Sequence, residues 1–232
     1  MPAVIAAVAG CLLFSHDAAA QSAPRPVRVV MASERLAVVN DSPRHFHVIR
    51  VDLPRGKPAT FSGPNGYVYV LSGKPSMGSG AGQRGLTPGE SAFLRGGEAV
   101  QLQGPAVLVH FLLEAGAAAS GYSGAKVTEL YRTAEPIPGL ESGPYEFSLT
   151  KVTSPRGVKP PLHHRSGAAI YYVLEGAGTL HMEAGAEPRK AGMVQYEPKT
   201  FVHTWENSGS APLVLLQANL SREGAPEIIF LR

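Results

Sequence analysis

The chain has 232 residues, of which 44% are hydrophobic and 17% charged, so it can bury a sizeable core and is too apolar to be disordered. Its 26 glycines and 20 prolines are unfavourable in a helical bundle and favour short strands joined by turns. The net charge of +3 comes from basic residues scattered singly along the chain, a pattern that argues against a nucleic-acid partner.

The N-terminal segment is apolar over residues 3–14 and too short to span a bilayer. Small residues precede a signal-peptidase site after Ala20, so residues 1–20 are predicted to be a signal peptide, although no basic residue precedes the apolar run. The mature protein is then expected to be periplasmic or secreted, with no membrane association. The alternative is lipidation at Cys11, which ends a lipobox-like segment. Cys11 is the only cysteine, so the cleaved protein would have no thiolate ligand and no disulfide.

Two copies of a five-residue segment reveal an internal repeat. The sequence YVLSG at residues 69–73 recurs as YVLEG at residues 172–176, and the final glycines are 103 residues apart. Three further matches, one upstream of this segment and two downstream, keep the same order at similar offsets, which predicts two copies of one module. The predicted parts after the signal peptide are a first domain at residues 25–114, a linker at 115–143 and a second domain at 144–232.

Each copy contains five short runs that are rich in β-branched or aromatic residues and bounded by Gly or Pro, as is typical of strands. The runs in the first copy are Phe46–Val51, Tyr67–Leu71, Ser91–Leu94, Val100–Leu102 and Val107–Leu113. Those in the second copy are Tyr145–Thr150, Ile170–Leu174, Met193–Glu197, Val202–Trp205 and Leu213–Ala218. Residues 125–132 in the linker are a short helix or strand, and residues 227–231 are predicted to be a final strand that pairs with one of the sheets. The pattern predicts an all-β sandwich or barrel.

A histidine motif stands in the second copy. Its members are Gly192, Pro198, Thr200, His203 and Asn207, separated by five, one, two and three residues. This spacing resembles the second conserved motif of the cupin superfamily, with a departure only at Thr200, where the family has glycine. Upstream, the spacing of Gly157, His163, His164 and Gly176 resembles the first cupin motif. The resemblance covers nearly all of the chain after the signal peptide. It implies an exported bacterial bicupin, an all-β protein with two tandem cupin barrels (double-stranded β-helix, or RmlC-like jelly roll).

The resemblance also implies a metal site, because the family holds a divalent metal with two histidines and a glutamate of the first motif and the histidine of the second. Here Ala169 stands at the glutamate position and Arg165 at the second histidine position. A one-residue bulge would bring in His164 instead of His163. The candidate metal ligands are therefore His163 or His164, together with His203. Two or three nitrogen ligands could hold one divalent transition metal, namely Zn, Fe, Cu or Ni.

Side chains that alternate along the strands are expected to complete a pocket around His203. Trp205 and Asn207 follow His203 by two and four residues, so their side chains would point to the same face of the strand as His203. On a facing strand, either Gln195 and Glu197 or Tyr196 points inward. The residues predicted to line the pocket are Tyr171, Gln195, Trp205 and Asn207.

The first copy is predicted to bind no metal. An offset of 103 residues places Thr60, Ser62, Gly66 and Val100 at its ligand positions, none of which is a histidine, carboxylate or cysteine. Its histidines His45, His47 and His110 are interpreted as ordinary strand residues. This copy is expected to have a structural role, covering sheet edges and apolar faces of the second.

The sequence leaves more than one class of function open, because one fold hosts many activities. The missing glutamate favours a pocket in the second barrel that binds a small molecule, through a His-ligated metal or without one. The alternatives are a metal-dependent oxygenase, isomerase or decarboxylase and a vestigial structural bicupin, so catalysis stays undecided. The expected partner is a small molecule, and the expected assembly is a monomer or a homodimer.

Overall fold

The computed structural model describes residues 24–78, 82–116 and 121–231. Every helix or strand assigned in those ranges is a β-strand, which confirms the all-β prediction. The predicted signal peptide and Cys11 lie outside the described residues. Within the described part of the chain, no helix has the length and apolar character needed to cross a bilayer.

In these described ranges, twenty strands form four five-stranded sheets. The first ten are β1 (Val27–Leu36), β2 (Arg44–Leu53), β3 (Ala59–Phe61), β4 (Gly66–Gly73), β5 (Ser76–Gly78), β6 (Arg84–Gly85), β7 (Ser91–Leu94), β8 (Val100–Gln103), β9 (Ala106–Ala115) and β10 (Tyr122–Ser123). The other ten are β11 (Lys126–Arg132), β12 (Tyr145–Ser154), β13 (His163–Arg165), β14 (Ala168–Glu175), β15 (Ala177–Met182), β16 (Gly185–Lys190), β17 (Val194–Glu197), β18 (His203–Glu206), β19 (Leu213–Arg222) and β20 (Ile228–Phe230). The predicted C-terminal strand is confirmed as β20, which pairs with β13.

The sheets pack in pairs as two barrels. In the N-terminal barrel, the sheet β11-β2-β9-β4-β7 faces the sheet β10-β3-β8-β5-β6 across a core of aliphatic and aromatic side chains. In the C-terminal barrel, the sheet β1-β12-β19-β14-β17 faces β16-β15-β18-β13-β20 across a smaller apolar cluster that includes Tyr171 and Trp205. The outer faces of the two larger sheets pack on each other and form a third core, in which the Tyr67 hydroxyl donates to the carbonyl of Phe147 at 2.6 Å.

The strands that precede the two barrels are exchanged between them. Strand β1 comes before the N-terminal barrel in sequence but pairs with β12 of the C-terminal barrel. Strand β11 comes just before the C-terminal barrel but pairs with β2 of the N-terminal one. The sequence-based division placed β1 in the first domain and β11 in the linker, so strand pairing does not follow those boundaries. The exchange couples the barrels because each covers a sheet edge of the other.

The repeat is visible in the register of the strands. A β-bulge interrupts β4 between Val70 and Ser72, and another interrupts β14 between Val173 and Glu175, which is the same place after an offset of 103 residues. Both repeat glycines have positive φ, and a Cβ added to Gly176 would lie 2.4 Å from the carbonyl oxygen of Pro212. Glycine is required at this turn by conformation and by space.

Strand register corrects one sequence-based match. His163 pairs with His203, and the equivalent pair of the N-terminal barrel is Phe61 with Val100. The residue that corresponds to His163 is therefore Phe61 rather than Thr60, because the offset in this short strand is 102.

Candidate binding site in the C-terminal barrel

The C-terminal barrel contains a cavity of about 490 Å³. Its walls come from the inner faces of both sheets, from the segment that precedes β1 and from the C-terminal strand β20. The lining residues are Pro24, Arg25, Pro26, Arg28, Val152, Ser154, Val158, Lys159, Pro160, Pro161, His163, Arg165, Tyr171, Trp205, Leu213, Leu215, Ile228 and Phe230. The wall is mostly apolar, with a few polar and charged side chains among these residues.

Two buried imidazoles stand side by side in the barrel. The ring centroids of His163 and His203 are 4.5 Å apart, as expected for directly paired positions on neighbouring strands. Each Nδ1 faces a backbone carbonyl oxygen two residues earlier, Pro161 for His163 at 2.9 Å and Phe201 for His203 at 2.8 Å. A carbonyl only accepts, so Nδ1 carries a proton in both rings.

A buried ion pair lies next to the imidazoles. Alternation along β13 directs Arg165 to the same side as His163, and its Nε donates to Glu197 Oε2 at 3.0 Å. The side chains of Arg165 and Glu197 are 1% and 0% exposed. Trp205 Nε1 donates to Glu197 Oε1 at 2.9 Å. His203 Nε2 lies 2.8 Å from the same oxygen.

The charge states follow from burial and from this ion pair. Burial raises the pKa of Glu197, but the Arg165 guanidinium and the contacts from His203 and Trp205 outweigh it and hold that pKa below its usual range. Burial lowers the pKa of Arg165, and the charge of Glu197 opposes that shift. Burial also lowers the pKa of His163 to about 4. At neutral pH, His163 is therefore uncharged and Glu197 is ionised.

One donor of the buried arginine is unused. Arg165 Nη1 is buried and has no hydrogen-bond partner among the described residues. The guanidinium carbon lies 5.3 Å from the centroid of the Tyr171 ring, which supports the cation through its π face. Desolvation of an unpaired N–H costs about 1–3 kcal/mol, so a site of this kind is completed by a ligand or by water.

Further cations surround the cavity. Arg28 Nη1 donates to Gln217 at 3.0 Å, and its Nη2 donates to Glu227 at 2.8 Å. Glu227 also accepts from the Ser148 hydroxyl at 2.7 Å, so this carboxylate is engaged twice. Arg25 is a further basic residue of the wall.

The turn of the second motif helps to fix Arg165. Thr200, the one departure from the motif, has a φ of 68° in the left-handed region that glycine adopts easily. Its N–H donates to the carbonyl of Arg165 at 3.3 Å. A left-handed backbone conformation at a non-glycine residue costs on the order of 1 kcal/mol and persists only where surrounding contacts stabilise it.

The structure brings some of the predicted site residues together and separates others. His163, Tyr171 and Trp205 line the cavity, and the ring of His203 lies against that of His163. His164 is half-buried between two buried neighbours, so it faces the other side of β13, and its Nδ1 contacts the Arg165 carbonyl at 3.0 Å. The bulge that would have brought His164 inward is absent from this described strand.

Two predicted pocket residues have other roles. Gln195 accepts from Arg189 at 2.7 Å and donates to the carbonyl of Tyr196, outside the cavity lining. Asn207 is buried and ties a turn together through Nδ2 bonds to the carbonyls of Ser154 and Ala211 at 2.8 and 2.9 Å. Neither side chain is free to face a ligand.

Sequence reasoning missed the arginines. Arg165 was treated only as a lost histidine, although its spacing from His163 places both on one face of the strand. Glu197 was one of two open alternatives, and the structure selects it. Arg28 could not be identified, because only the exchange of β1 brings it to this barrel.

The donor set does not fit a resident divalent metal. Within residues 24–78, 82–116 and 121–231, no three His, Cys, Asp or Glu side chains are grouped as metal ligands. Two imidazoles are available, but both oxygens of Glu197 are engaged by Arg165 and Trp205. The guanidinium beside them would repel a cation, and it stands where the resemblance places a metal ligand.

Comparison with known proteins agrees with this fold. Residues 151–218 match the family model of the cupin domain. A 70-residue stretch is 37% identical to an uncharacterized protein of Methanocaldococcus jannaschii and covers 30% of this chain and 56% of that protein. The match thus spans about half the length of that relative.

Solved structures with the same fold include a cupin 2 conserved barrel domain protein from Leptotrichia buccalis (14% identity, 84% of this chain and 95% of that chain, TM-score 0.50). Another is oxalate decarboxylase from Bacillus subtilis at pH 4.6 (13%, 88% and 78%, TM-score 0.57). A third structure comes from a study of the Mn(II) centers in Bacillus subtilis oxalate decarboxylase (11% identity, 88% of this chain and 79% of that chain, TM-score 0.54). The fold is thus similar to that of these solved cupin structures, and residues 151–218 of the C-terminal barrel match the cupin domain model. Identities this low show that the folds are similar and say nothing about a shared activity.

Proposed function

We propose that the C-terminal barrel binds a small organic molecule in its cavity and that the N-terminal barrel is its structural partner. The observation that carries this proposal is the contrast between the barrels. A cavity of about 490 Å³ opens among the polar residues of the C-terminal barrel. At the positions that match His163 and His203, the N-terminal barrel has the buried apolar residues Phe61 and Val100.

The properties of the cavity agree with such a role. Its volume is within the range of about 300–1,000 Å³ that is usual for small-molecule sites. Trp205, Tyr171 and several aliphatic and proline side chains supply apolar contact, while Arg165 and His163 supply directed polar groups. This combination orients a ligand and excludes water from its apolar part.

A fluorescence titration tests the binding function. Trp205 is the only tryptophan of the chain, so indole emission reports on this cavity alone. A panel of small aromatic and aliphatic compounds is expected to include members that change the emission with saturation. Substitution Val158→Phe, which places a ring in the cavity wall, should abolish that response while the protein stays folded. The same substitution at the exposed Val38 is the matched control and should leave it unchanged.

The metal-dependent alternative is tested by elemental analysis. The pair of imidazoles is the observation in its favour, and the engaged Glu197 and the adjacent guanidinium count against it. Protein purified without chelators is expected to contain far less than one metal ion per chain. Stoichiometric metal that disappears on substitution His203→Ala would establish the alternative.

We also propose that this protein acts after export, with the two barrels as a tandem bicupin. N-terminal sequencing of protein from a periplasmic or culture fraction should then begin near Gln21. A retained Met1 would contradict export, and a lipid-modified Cys11 would establish the lipoprotein alternative.

A further inference from the structure

We infer that the ligand carries a carboxylate on an apolar body, and that the Arg165 guanidinium is the anchor for that carboxylate. This inference rests on the proposed binding function of the C-terminal barrel. It specifies the chemical class of the ligand and assigns Arg165 the role of binding residue.

The unused donor of Arg165 defines where the charged group would lie. Arg165 contributes to the cavity wall, its Nε is already bonded to Glu197, and its buried Nη1 has no hydrogen-bond partner in the part of the chain that the structure describes. A carboxylate oxygen at Nη1 would satisfy this donor with a charge-assisted hydrogen bond, which is stronger than a bond to a neutral acceptor. The pair with Glu197 and the ring of Tyr171 fix the guanidinium in place, so little entropy is lost when a ligand binds.

The charge distribution around the cavity has the matching sign. Among the described residues that line it, Arg25, Arg28, Lys159 and Arg165 are cationic and none is acidic. The carboxylates near these cations are engaged in ion pairs, Glu197 with Arg165, Glu227 with Arg28 and Glu206 with Lys159. Low-dielectric walls strengthen the attraction for an anion that enters such a site.

The remaining wall selects the body of the ligand. Beyond the basic groups, the surface is formed by the aromatic rings of Trp205 and Phe230 and by aliphatic and proline side chains such as Pro161 and Leu215. A small, highly charged anion such as phosphate would leave this surface exposed to water and would find too few donors. A monocarboxylate with an aromatic or alkyl group satisfies the donor and covers the apolar wall.

Titration with matched acids and amides tests the charge requirement. The probes are benzoate, phenylacetate and hexanoate, the primary amide of each, and inorganic phosphate, all followed by Trp205 emission. The acids are expected to bind at least about tenfold more tightly than the amides, since a hydrogen bond to a charged group contributes roughly 1.4 kcal/mol or more. Phosphate is expected to give no saturable response.

Equal affinity for acids and amides would overturn the inference but leave the proposed binding function standing. Tighter binding of phosphate than of every carboxylate would also overturn it, because the site would then recognise a compact anion. No response to any probe would count against both proposals.

Charge-balanced variants separate anchoring from folding. Arg165→Gln combined with Glu197→Gln removes both charges of the pair, so no buried charge is left alone, and carboxylate affinity should fall by about tenfold or more while amide affinity is unchanged. Glu197→Gln alone leaves the cation without its counter-ion and should bind carboxylates more tightly. Arg156→Gln, at an exposed arginine outside the cavity, removes one positive charge and should change neither affinity. Undiminished carboxylate binding in the folded double variant would show that Arg165 is not the anchor.

Discussion

The two barrels share one strand register and differ at a few inward positions. At the inward positions occupied by His163, Glu197, His203 and Trp205, the N-terminal barrel has Phe61, Leu94, Val100 and Leu102. All four residues of the N-terminal barrel are buried in its apolar core. The fold therefore tolerates both interiors, since bulges, turns and apolar alternation define the barrel while a small inward set defines the site.

The polar groups of the two interiors are also stabilised differently. In the N-terminal barrel, His110 occupies the position that matches Gln217 and bonds through Nδ1 to the Tyr122 hydroxyl at 2.9 Å, in a closely packed setting against Phe61. In the C-terminal barrel, Gln217 bonds to Arg28 next to an open cavity. One interior thus buries a neutral polar pair, and the other keeps ionic groups beside space for a ligand.

The largest expected effect comes from breaking the ion pair that distinguishes the C-terminal barrel. Arg165→Met leaves Glu197 buried without a counter-ion and should lower the free energy of unfolding by about 3–5 kcal/mol. Adding Glu197→Leu, which installs the residue type that the N-terminal barrel has at Leu94, should recover most of the loss. Urea denaturation followed by circular dichroism measures both. An equal loss in the single and the double variant would mean that the pair is not electrostatically coupled.

The next effect concerns acid stability and involves both barrels. Burial lowers the pKa of His110 to about 3 and that of His163 to about 4, while the unfolded chain titrates near 6.5. The unfolded state therefore binds more protons, so stability present above pH 6.5 is lost as the pH falls toward the two folded values.

Substitution His110→Gln, which copies Gln217 of the C-terminal barrel, should make this loss shallower by about 1.4 kcal/mol per pH unit. Unfolding free energies measured between about pH 6 and 4.5, where the imidazole binds a proton in the unfolded chain and not in the folded one, provide the check. Parallel pH profiles for the variant and the wild type would contradict the assignment.

A smaller difference in stability is expected between substitutions at two matched small residues, one in each barrel. Gly66 corresponds to Ala169, and a Cβ at Gly66 would lie 2.5 Å from His110 Nε2 and 2.6 Å from the carbonyl oxygen of Phe111. Gly66→Ala should therefore overpack the N-terminal barrel at a cost of about 2 kcal/mol. The reverse change, Ala169→Gly, should cost only about 0.5–1 kcal/mol. Thermal denaturation of both variants compares them, and a harmless Gly66→Ala would show that the N-terminal interior has unused space.

The smallest expected effect comes from the neutral pair of the N-terminal barrel. Tyr122→Phe removes the hydroxyl that contacts His110 and should destabilise the protein by about 1 kcal/mol. Carboxylate binding in the other barrel should not change. A shift in ligand affinity measured by Trp205 emission would show that the barrel interiors are coupled more strongly than their separate cores indicate.

The sequence predicted much of the fold because its signals are local. Alternating apolar runs and turn glycines located ten of the strands, and the repeat located two modules. Strands with weak patterns were missed, such as β1 and β16, both of which are exposed on most of their length. Exchange of β1 and β11 depends on which sheet edge offers the better partner, and no local pattern contains that information.

The site was predicted only in part because the motif shows which residues are missing and not what replaces them. Alternation predicted His163, His203, Tyr171 and Trp205 around one space; of these, His163, Tyr171 and Trp205 line the cavity and His203 lies beside His163. The spacing could not show that Arg165 and Glu197 would neutralise each other, since that contact joins strands 32 residues apart in sequence. Asn207 and Gln195 have the expected positions in the chain, but nearby backbone and side-chain partners engage their polar groups.

A crystal structure with 4-bromobenzoate would show whether Arg165 anchors a carboxylate ligand in the cavity of the C-terminal barrel. The account predicts one bromine anomalous peak per chain inside the C-terminal barrel, near Trp205 and Phe230, with the carboxylate within hydrogen-bonding distance of Arg165 Nη1. A ligand bound inside the N-terminal barrel, or a ligand in the C-terminal cavity whose carboxylate points away from Arg165, would contradict it.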